Sequence, residues 1–174
     1  MVFVLFATFT LGTVLFKPIH DVVEAIAPAT SYPGRTTQWE FLLGLIQKHP
    51  FSGYGLESRW GKPVVMDMER PHNADRDFGG IVHGHSCYLD AMLNLGIPGA
   101  YALFFVVIIQ PVIDYLRANI LAADFFMMII AFTTLNAFME TFFFRRGNSV
   151  WMLMVLAGAG LRLTATTPLN RNSA

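Results

Sequence analysis

The chain has 174 residues, of which 54% are hydrophobic and only 14% are charged, and its 12 basic residues balance 12 acidic ones. This composition excludes an ordinary soluble domain and a basic surface for nucleic acid, and the single cysteine, Cys87, excludes an internal disulfide and a thiolate metal cluster. We therefore predict an integral membrane protein that is all-α, a polytopic membrane helix bundle with a large extracytoplasmic loop containing short helices.

Apolar stretches predict four membrane spans, because a helix that crosses a bilayer needs about 20 apolar residues. We expect a transmembrane helix with a truncated start over 1–16, a helix that enters and spans the membrane over 87–113, a third span over 124–144 and a short one over 149–163. The polar tail over 164–174 is predicted to be disordered. The distribution of Lys and Arg does not orient these spans.

The hydrophilic loop over 17–86 holds all five histidines and most of the charged residues. Within it, Thr37-Gln38-Trp39-Glu40 fits a capping box, and apolar residues recur at helical spacing from Trp39 to Ile46. This pattern predicts a helix near 37–48 that lies in the membrane interface or packs on the spans.

Arg35 immediately precedes this predicted helix. Free backbone N–H groups and a guanidinium at a helix start favour a phosphate or pyrophosphate ligand, so Arg35 is the first candidate anion ligand. The alternative is that Arg35 pairs with Glu40 or extends to lipid headgroups.

His85 stands where the polar loop meets an apolar segment. A second helix is predicted to begin at Ser86, whose hydroxyl can cap it, and the run Gly96-Ile97-Pro98-Gly99 should bend or interrupt that helix. A helix N-terminus disfavours an imidazolium, so the His85 ring is expected to be neutral and able to accept a proton. The alternative is a histidine that only hydrogen-bonds loop backbone.

A metal site is the weaker interpretation of the histidines. His83 and His85 are two residues apart, and His72 lies upstream with Asp75 or Asp77. Because no fixed return spacing and no second cluster accompany them, we predict that the chain binds no metal.

The third predicted span ends in charged residues. Charge at a membrane segment is costly unless it is paired or faces water, so Glu140, Arg145 and Arg146 are expected to form an ion pair, with an arginine ligand as the alternative. The phenylalanines over 142–144 are expected to face lipid.

Three motifs stand out in the loop and the helix that follows it. They are Pro33-Gly34-Arg35-Thr36 with Trp39, His49-Pro50-Phe51-Ser52-Gly53-Tyr54-Gly55, and His85-Ser86 followed after nine residues by Gly96-x-x-Gly99. In this order, the motifs resemble those of the bacterial O-antigen ligase/polymerase family. Tyr88-Leu89-Asp90 and Asn94-Leu95-Gly96-Ile97-Pro98-Gly99 are similar to the exopolysaccharide polymerase branch. The resemblance is to the C-terminal portion of such a protein.

The resemblance implies a multi-pass glycosyltransferase of the bacterial inner membrane that needs no metal or other cofactor. Its partners would be a donor oligosaccharide linked to undecaprenyl pyrophosphate, a glycan acceptor, membrane lipids and other polysaccharide-assembly proteins. By position, Arg35 would hold the donor pyrophosphate, and His85 would act as general base on an acceptor hydroxyl or orient it. Arg59, Arg145 and Arg146 would supply further phosphate contacts.

Other functions stay open beside the polymerase. An O-antigen ligase acting on lipid A-core and a protein oligosaccharyltransferase would use the same donor. Because family members usually have about ten or more spans, a non-catalytic fragment of such an enzyme is a further alternative. A transporter is disfavoured, since charges inside the predicted spans are nearly confined to Asp124 and Glu140.

Overall fold

The computed structural model describes residues 17–26, 35–56, 84–118 and 121–166. Every regular element in these ranges is helical, which confirms the all-α prediction for them. The predicted span over 1–16 and much of the loop, including 57–83, lie outside the described residues. In chain order the helices are α1 (Lys17–Ile26), α2 (Arg35–Lys48), α3 (Cys87–Phe104), a π-helical turn (Phe105–Ile109), α4 (Gln110–Arg117), α5 (Leu121–Asn136) and α6 (Ser149–Thr166).

Helix α1 lies in the segment that the sequence analysis assigns to loop. Pro18 stands in its first turn, where a missing N–H costs nothing, and apolar residues from Ile19 to Ile26 recur at i, i+3, i+4 and i+7. This helical periodicity is the sequence signal for α1.

Helix α2 begins at Arg35, two residues before the predicted start, and ends at Lys48. Thr37 therefore lies inside the first turn and not at the cap. The apolar face of α2 buries Trp39 and Leu42 against Leu89 and Leu93 of α3. Helix α2 thus packs on a neighbouring helix, and its predicted position in the membrane interface stays a prediction.

Helix α3 is interrupted as the sequence predicts. Gly96 adopts φ 70° and ψ 174°, which is not helical, and Pro98 follows inside the helix. In a regular helix Ile97 would donate to the Leu93 carbonyl and residue 98 to the Asn94 carbonyl, but the turn at Gly96 redirects the first N–H and proline lacks the second. The carbonyl groups of Leu93 and Asn94 and the N–H group of Ile97 therefore need other partners.

The turn that follows α2 supplies these partners. Residues 50–55 lie against the interruption, so backbone groups of the turn replace the missing helical hydrogen bonds. The Tyr54 N–H donates to the Leu93 carbonyl at 2.8 Å, the Gly55 N–H donates to the Asn94 carbonyl at 2.9 Å, and the Ile97 N–H donates to the Pro50 carbonyl at 2.7 Å. The turn over 49–55 and the interruption at Gly96, which the sequence showed as two separate motifs, are thus joined by backbone hydrogen bonds.

Within the described ranges, two runs are long and apolar enough to cross a membrane, namely Cys87–Arg117 with 31 residues and Ser149–Thr166 with 18 residues. Helix α5 has only 16 residues, or about 24 Å, and ends at Asn136, eight residues before the end of the predicted span 124–144. Residues 140–142, which the prediction placed in this span, have no helical structure. Helix α6 continues to Thr166, three residues into the predicted tail.

The chain divides into two compact units, the first comprising Met1–Ala100 with Phe138–Thr141 and the second comprising Tyr101–Ala137 with Phe142–Ala174. The second unit contains a buried charge that the sequence analysis missed. Asp114 is 3% exposed and accepts hydrogen bonds from Gln110 Nε2 at 3.0 Å and from Arg162 Nη1 at 3.1 Å. This pair borders a cavity of about 600 Å³ whose walls are mainly apolar.

Candidate functional site

His85 has an uncommon backbone conformation. Its φ is 52°, in the left-handed region that residues other than glycine seldom adopt, and it lies two residues before the first residue of α3. Such strained residues persist only where the surroundings hold them, and they cluster at functional sites. The His85 side chain is 35% exposed, so its ring is partly accessible from outside the first unit.

Gly84 is held on both sides of its Cα. The Trp39 indole Nε1–H donates to the Gly84 carbonyl at 2.8 Å, and the Gly84 N–H donates to both carboxylate oxygens of Asp90, at 3.1 and 3.2 Å. Trp39 is 1% exposed and Asp90 is 4% exposed, so both partners are fixed in the interior of the unit. Gly84, which immediately precedes the left-handed residue His85, is therefore held in place by two buried side chains.

Glu140 faces His85. Its Oε2 atom lies 3.9 Å from His85 Nδ1, an ion-pair distance that is longer than a hydrogen bond, and the Glu140 side chain is 57% exposed. The Glu140 backbone carbonyl also accepts the Cys87 N–H at 3.1 Å. The fold brings the Glu140 carboxylate to the histidine, and the expected ion pair of Glu140 with a neighbouring arginine stays a prediction.

Ser86 occupies the capping position before α3 but does not use its hydroxyl as predicted. Its side chain is fully buried, and its Oγ has no hydrogen-bond partner among the described residues. The first N–H of α3 is bound by the Glu140 carbonyl from a distant part of the chain. A long-range backbone contact thus takes the place of the local cap.

Thr141 completes the arrangement. Its hydroxyl donates to Asp90 Oδ2 at 2.7 Å, so the Asp90 carboxylate binds the residue before His85 and the residue after Glu140. The described site therefore consists of an accessible imidazole beside a carboxylate, on a buried polar framework. Such a pair can accept a proton at the ring and stabilise the positive charge that follows.

The predicted anion ligands are only partly described. Arg35 is the first residue of α2, and its side chain lies outside the described residues, as does the whole of Arg59. Arg145 and Arg146 are exposed and belong to the second unit. The phosphate contacts expected of these four arginines stay predictions.

The alternative metal ligands other than His85 also fall outside the described ranges. These are His72, Asp75, Asp77 and His83. Among the described residues, no group of three His, Cys, Asp or Glu side chains could hold a metal ion. The prediction that the chain needs no metal stays a prediction.

Comparison with known proteins gives a family. The O-antigen ligase family model matches residues 1–105, which include α2, His85 and the interruption at Gly96, whereas Glu140 and Thr141 follow the matched region. No curated protein and no solved structure matches the chain. Members of the family are membrane-integral ligases and polymerases of glycosyltransferase type that act in polysaccharide assembly. Because the match covers more than half of the 174 residues, the chain belongs to the O-antigen ligase family.

Proposed function

We propose that the chain acts as a metal-independent, multi-pass glycosyltransferase of the bacterial inner membrane. It polymerises oligosaccharide units linked to undecaprenyl pyrophosphate during the synthesis of a surface polysaccharide, either exopolysaccharide or O-antigen. Family membership supports the class of reaction. The observation that carries the site is the left-handed His85, whose Nδ1 lies 3.9 Å from the Glu140 carboxylate.

In the proposed reaction His85 is the general base. His85 Nδ1 faces the Glu140 carboxylate, and in this proposal Nε2 receives the proton of the acceptor hydroxyl. The hydroxyl proton moves to Nε2 as its oxygen bonds to the anomeric carbon of the donor sugar, and the bond from that carbon to the pyrophosphate oxygen breaks. Undecaprenyl pyrophosphate leaves with the bonding electron pair, and the Glu140 carboxylate stabilises the imidazolium.

The leaving group needs positive charge around it. Arg35 at the start of α2 combines a guanidinium with the free N–H groups of a helix N-terminus, which suits a pyrophosphate. Arg59, Arg145 and Arg146 would supply the remaining phosphate contacts in this proposal. Loss of one of these three remaining contacts should weaken transfer, whereas loss of Arg35 should abolish it.

Complementation of a strain that lacks the polysaccharide tests this function. The 174-residue chain and the longest reading frame extended upstream are each expressed with His85→Ala, with Arg35→Ala, and with His83→Ala as the matched control. We expect His85→Ala and Arg35→Ala to abolish polymer at unchanged protein levels in the membrane fraction, and His83→Ala to have little effect. Polymer restored by His85→Ala would contradict the proposal, and failure of both unsubstituted chains would favour a non-catalytic role or a different acceptor.

A second experiment separates the three enzymes that share this donor. Deletion of a polymerase should remove the polymer and leave lipopolysaccharide capped, because the ligation step is intact. Uncapped lipopolysaccharide with intact secreted polymer would identify a ligase acting on lipid A-core instead. Loss of protein glycosylation alone would identify an oligosaccharyltransferase.

A further inference from the structure

The proposed reaction leaves the buried carboxylate of Asp90 without a role. Asp90 lies in the first turn of α3, is 4% exposed, and accepts hydrogen bonds from the Gly84 N–H and the Thr141 hydroxyl. Its two carboxylate oxygens thus accept from a backbone donor and from a side-chain hydroxyl. The 2.7 Å distance from the Thr141 hydroxyl is the usual length of a hydrogen bond between two oxygens.

The two donors are next to the reacting pair in sequence. Gly84 precedes His85, and Thr141 follows Glu140, so one carboxylate ties both segments at adjacent residues. The two segments also meet through the backbone, where the Cys87 N–H donates to the Glu140 carbonyl at 3.1 Å. Displacement of Asp90 would therefore move both members of the pair relative to each other.

Gly84 permits this arrangement because it lacks a side chain. A Cβ at this position would lie 2.5 Å from Asp90 Oδ1 and 2.7 Å from Leu42 Cδ1. The close approach allows both carboxylate oxygens to reach one N–H group, and Trp39 holds the Gly84 carbonyl from the other side. The backbone that leads into His85 is thus fixed at the Gly84 N–H and at the Gly84 carbonyl, which belong to the peptide groups on either side of the Gly84 Cα.

We propose that Asp90 and Thr141 are positioning residues that set the His85 ring against the Glu140 carboxylate. The inference rests on the proposed function, in which His85 is the reacting group. Neither residue touches the substrate, so their loss changes the rate of transfer through the geometry of the pair. A misplacement of about 1 Å at a reacting group can lower a rate about 100-fold.

The test uses the full chain in detergent or lipid and compares Thr141→Val, which keeps the shape and loses the hydroxyl, with Thr141→Ser, which keeps the hydroxyl. Asp90→Asn is compared with Asp114→Asn, which alters an equally buried aspartate in the second unit. The readouts are kcat, KM for the lipid-linked donor, and the ring-nitrogen NMR signals of His85, assigned by their absence in His85→Gln.

Thr141→Val and Asp90→Asn should shift the His85 ring signals and lower kcat about 10- to 100-fold at unchanged KM. Thr141→Ser and Asp114→Asn should leave the ring signals in place. Unshifted ring signals in Thr141→Val would overturn the inference, even if Asp90→Asn fails to fold. Shifted signals in a chain without transferase activity would support the positioning and count against the proposed function.

Discussion

Replacement of Gly53 by alanine should separate the turn after α2 from the interrupted helix α3. Gly53 has φ 61°, and a Cβ there would overlap the backbone of Asn94 and Gly96. Gly96 is constrained in the same way, because its own Cβ would overlap the Phe51 carbonyl group. Neither the backbone of the turn nor that of α3 can move apart to make room without losing the hydrogen bonds that join them.

The expected loss of stability follows from these contacts. Three backbone hydrogen bonds join the turn to α3, and each contributes about 0.5–1.5 kcal/mol. A left-handed residue with a Cβ costs about 1–2 kcal/mol more. We therefore expect Gly53→Ala to lower the free energy of unfolding by about 2.5–6.5 kcal/mol.

Thermal unfolding of the purified protein in detergent measures this change. Helical circular dichroism follows the whole chain, and labelling of the single buried cysteine, Cys87, by a fluorogenic maleimide reports on the first unit. Gly44→Ala is the control, because a Cβ at this helical position meets nothing within 4 Å. Gly147→Ala isolates the conformational cost, since Gly147 has φ 72° and equally open surroundings. A Gly53→Ala variant no less stable than Gly147→Ala would refute this reasoning.

Two further substitutions test packing in each unit. Trp39→Phe should destabilise the first unit by about 1–3 kcal/mol and increase Cys87 labelling, because the Gly84 carbonyl loses its indole donor; unchanged labelling would contradict this role. Gly160→Ala should lower the melting temperature of the second unit, because a Cβ would lie 2.6–3.0 Å from the Phe126 ring. At Gly158 a Cβ would meet nothing within 4 Å, so Gly158→Ala should be neutral or stabilising. Equal melting temperatures for these two alanine variants would show that the ring moves aside at no cost.

Local sequence signals predicted much of the framework. The interruption of α3 follows from Gly96 and Pro98, whose backbone properties do not depend on distant residues. The start of α3 after Ser86 was also predicted, although its first N–H is bound by Glu140 and not by the serine hydroxyl. Helical periodicity located the buried face of α2, and Trp39 and Leu42 are indeed in the core.

The polar framework of the site could not be predicted from local patterns. Asp90 and Thr141 are 51 residues apart in sequence, and Trp39 and Gly84 are 45 apart. In a single sequence, no spacing rule links residues at such separations. Asp90 appeared only as part of a family-like run, and its burial is the feature that distinguishes it from a solvated residue.

The end of the third predicted span shows a similar limit. Hydropathy extended it to Phe144, but the helix stops at Asn136 and Thr141 binds Asp90 in the first unit. Phe142 and Phe143, expected to face lipid, are buried, and Phe143 packs against Trp151 with ring centroids 5.4 Å apart. Apolar composition identifies residues that avoid water, but it does not distinguish lipid from a protein interior.

The most direct test of the central claim is the initial rate at which the purified protein transfers glycan from an undecaprenyl-pyrophosphate-linked donor. Wild type, His85→Ala and Glu140→Gln are compared at saturating donor, in the same detergent and with equal helical content. The proposed mechanism predicts no detectable transfer by His85→Ala and a reduced kcat for Glu140→Gln, because the imidazolium loses its facing carboxylate. Transfer by His85→Ala at the wild-type rate would show that His85 is not the base.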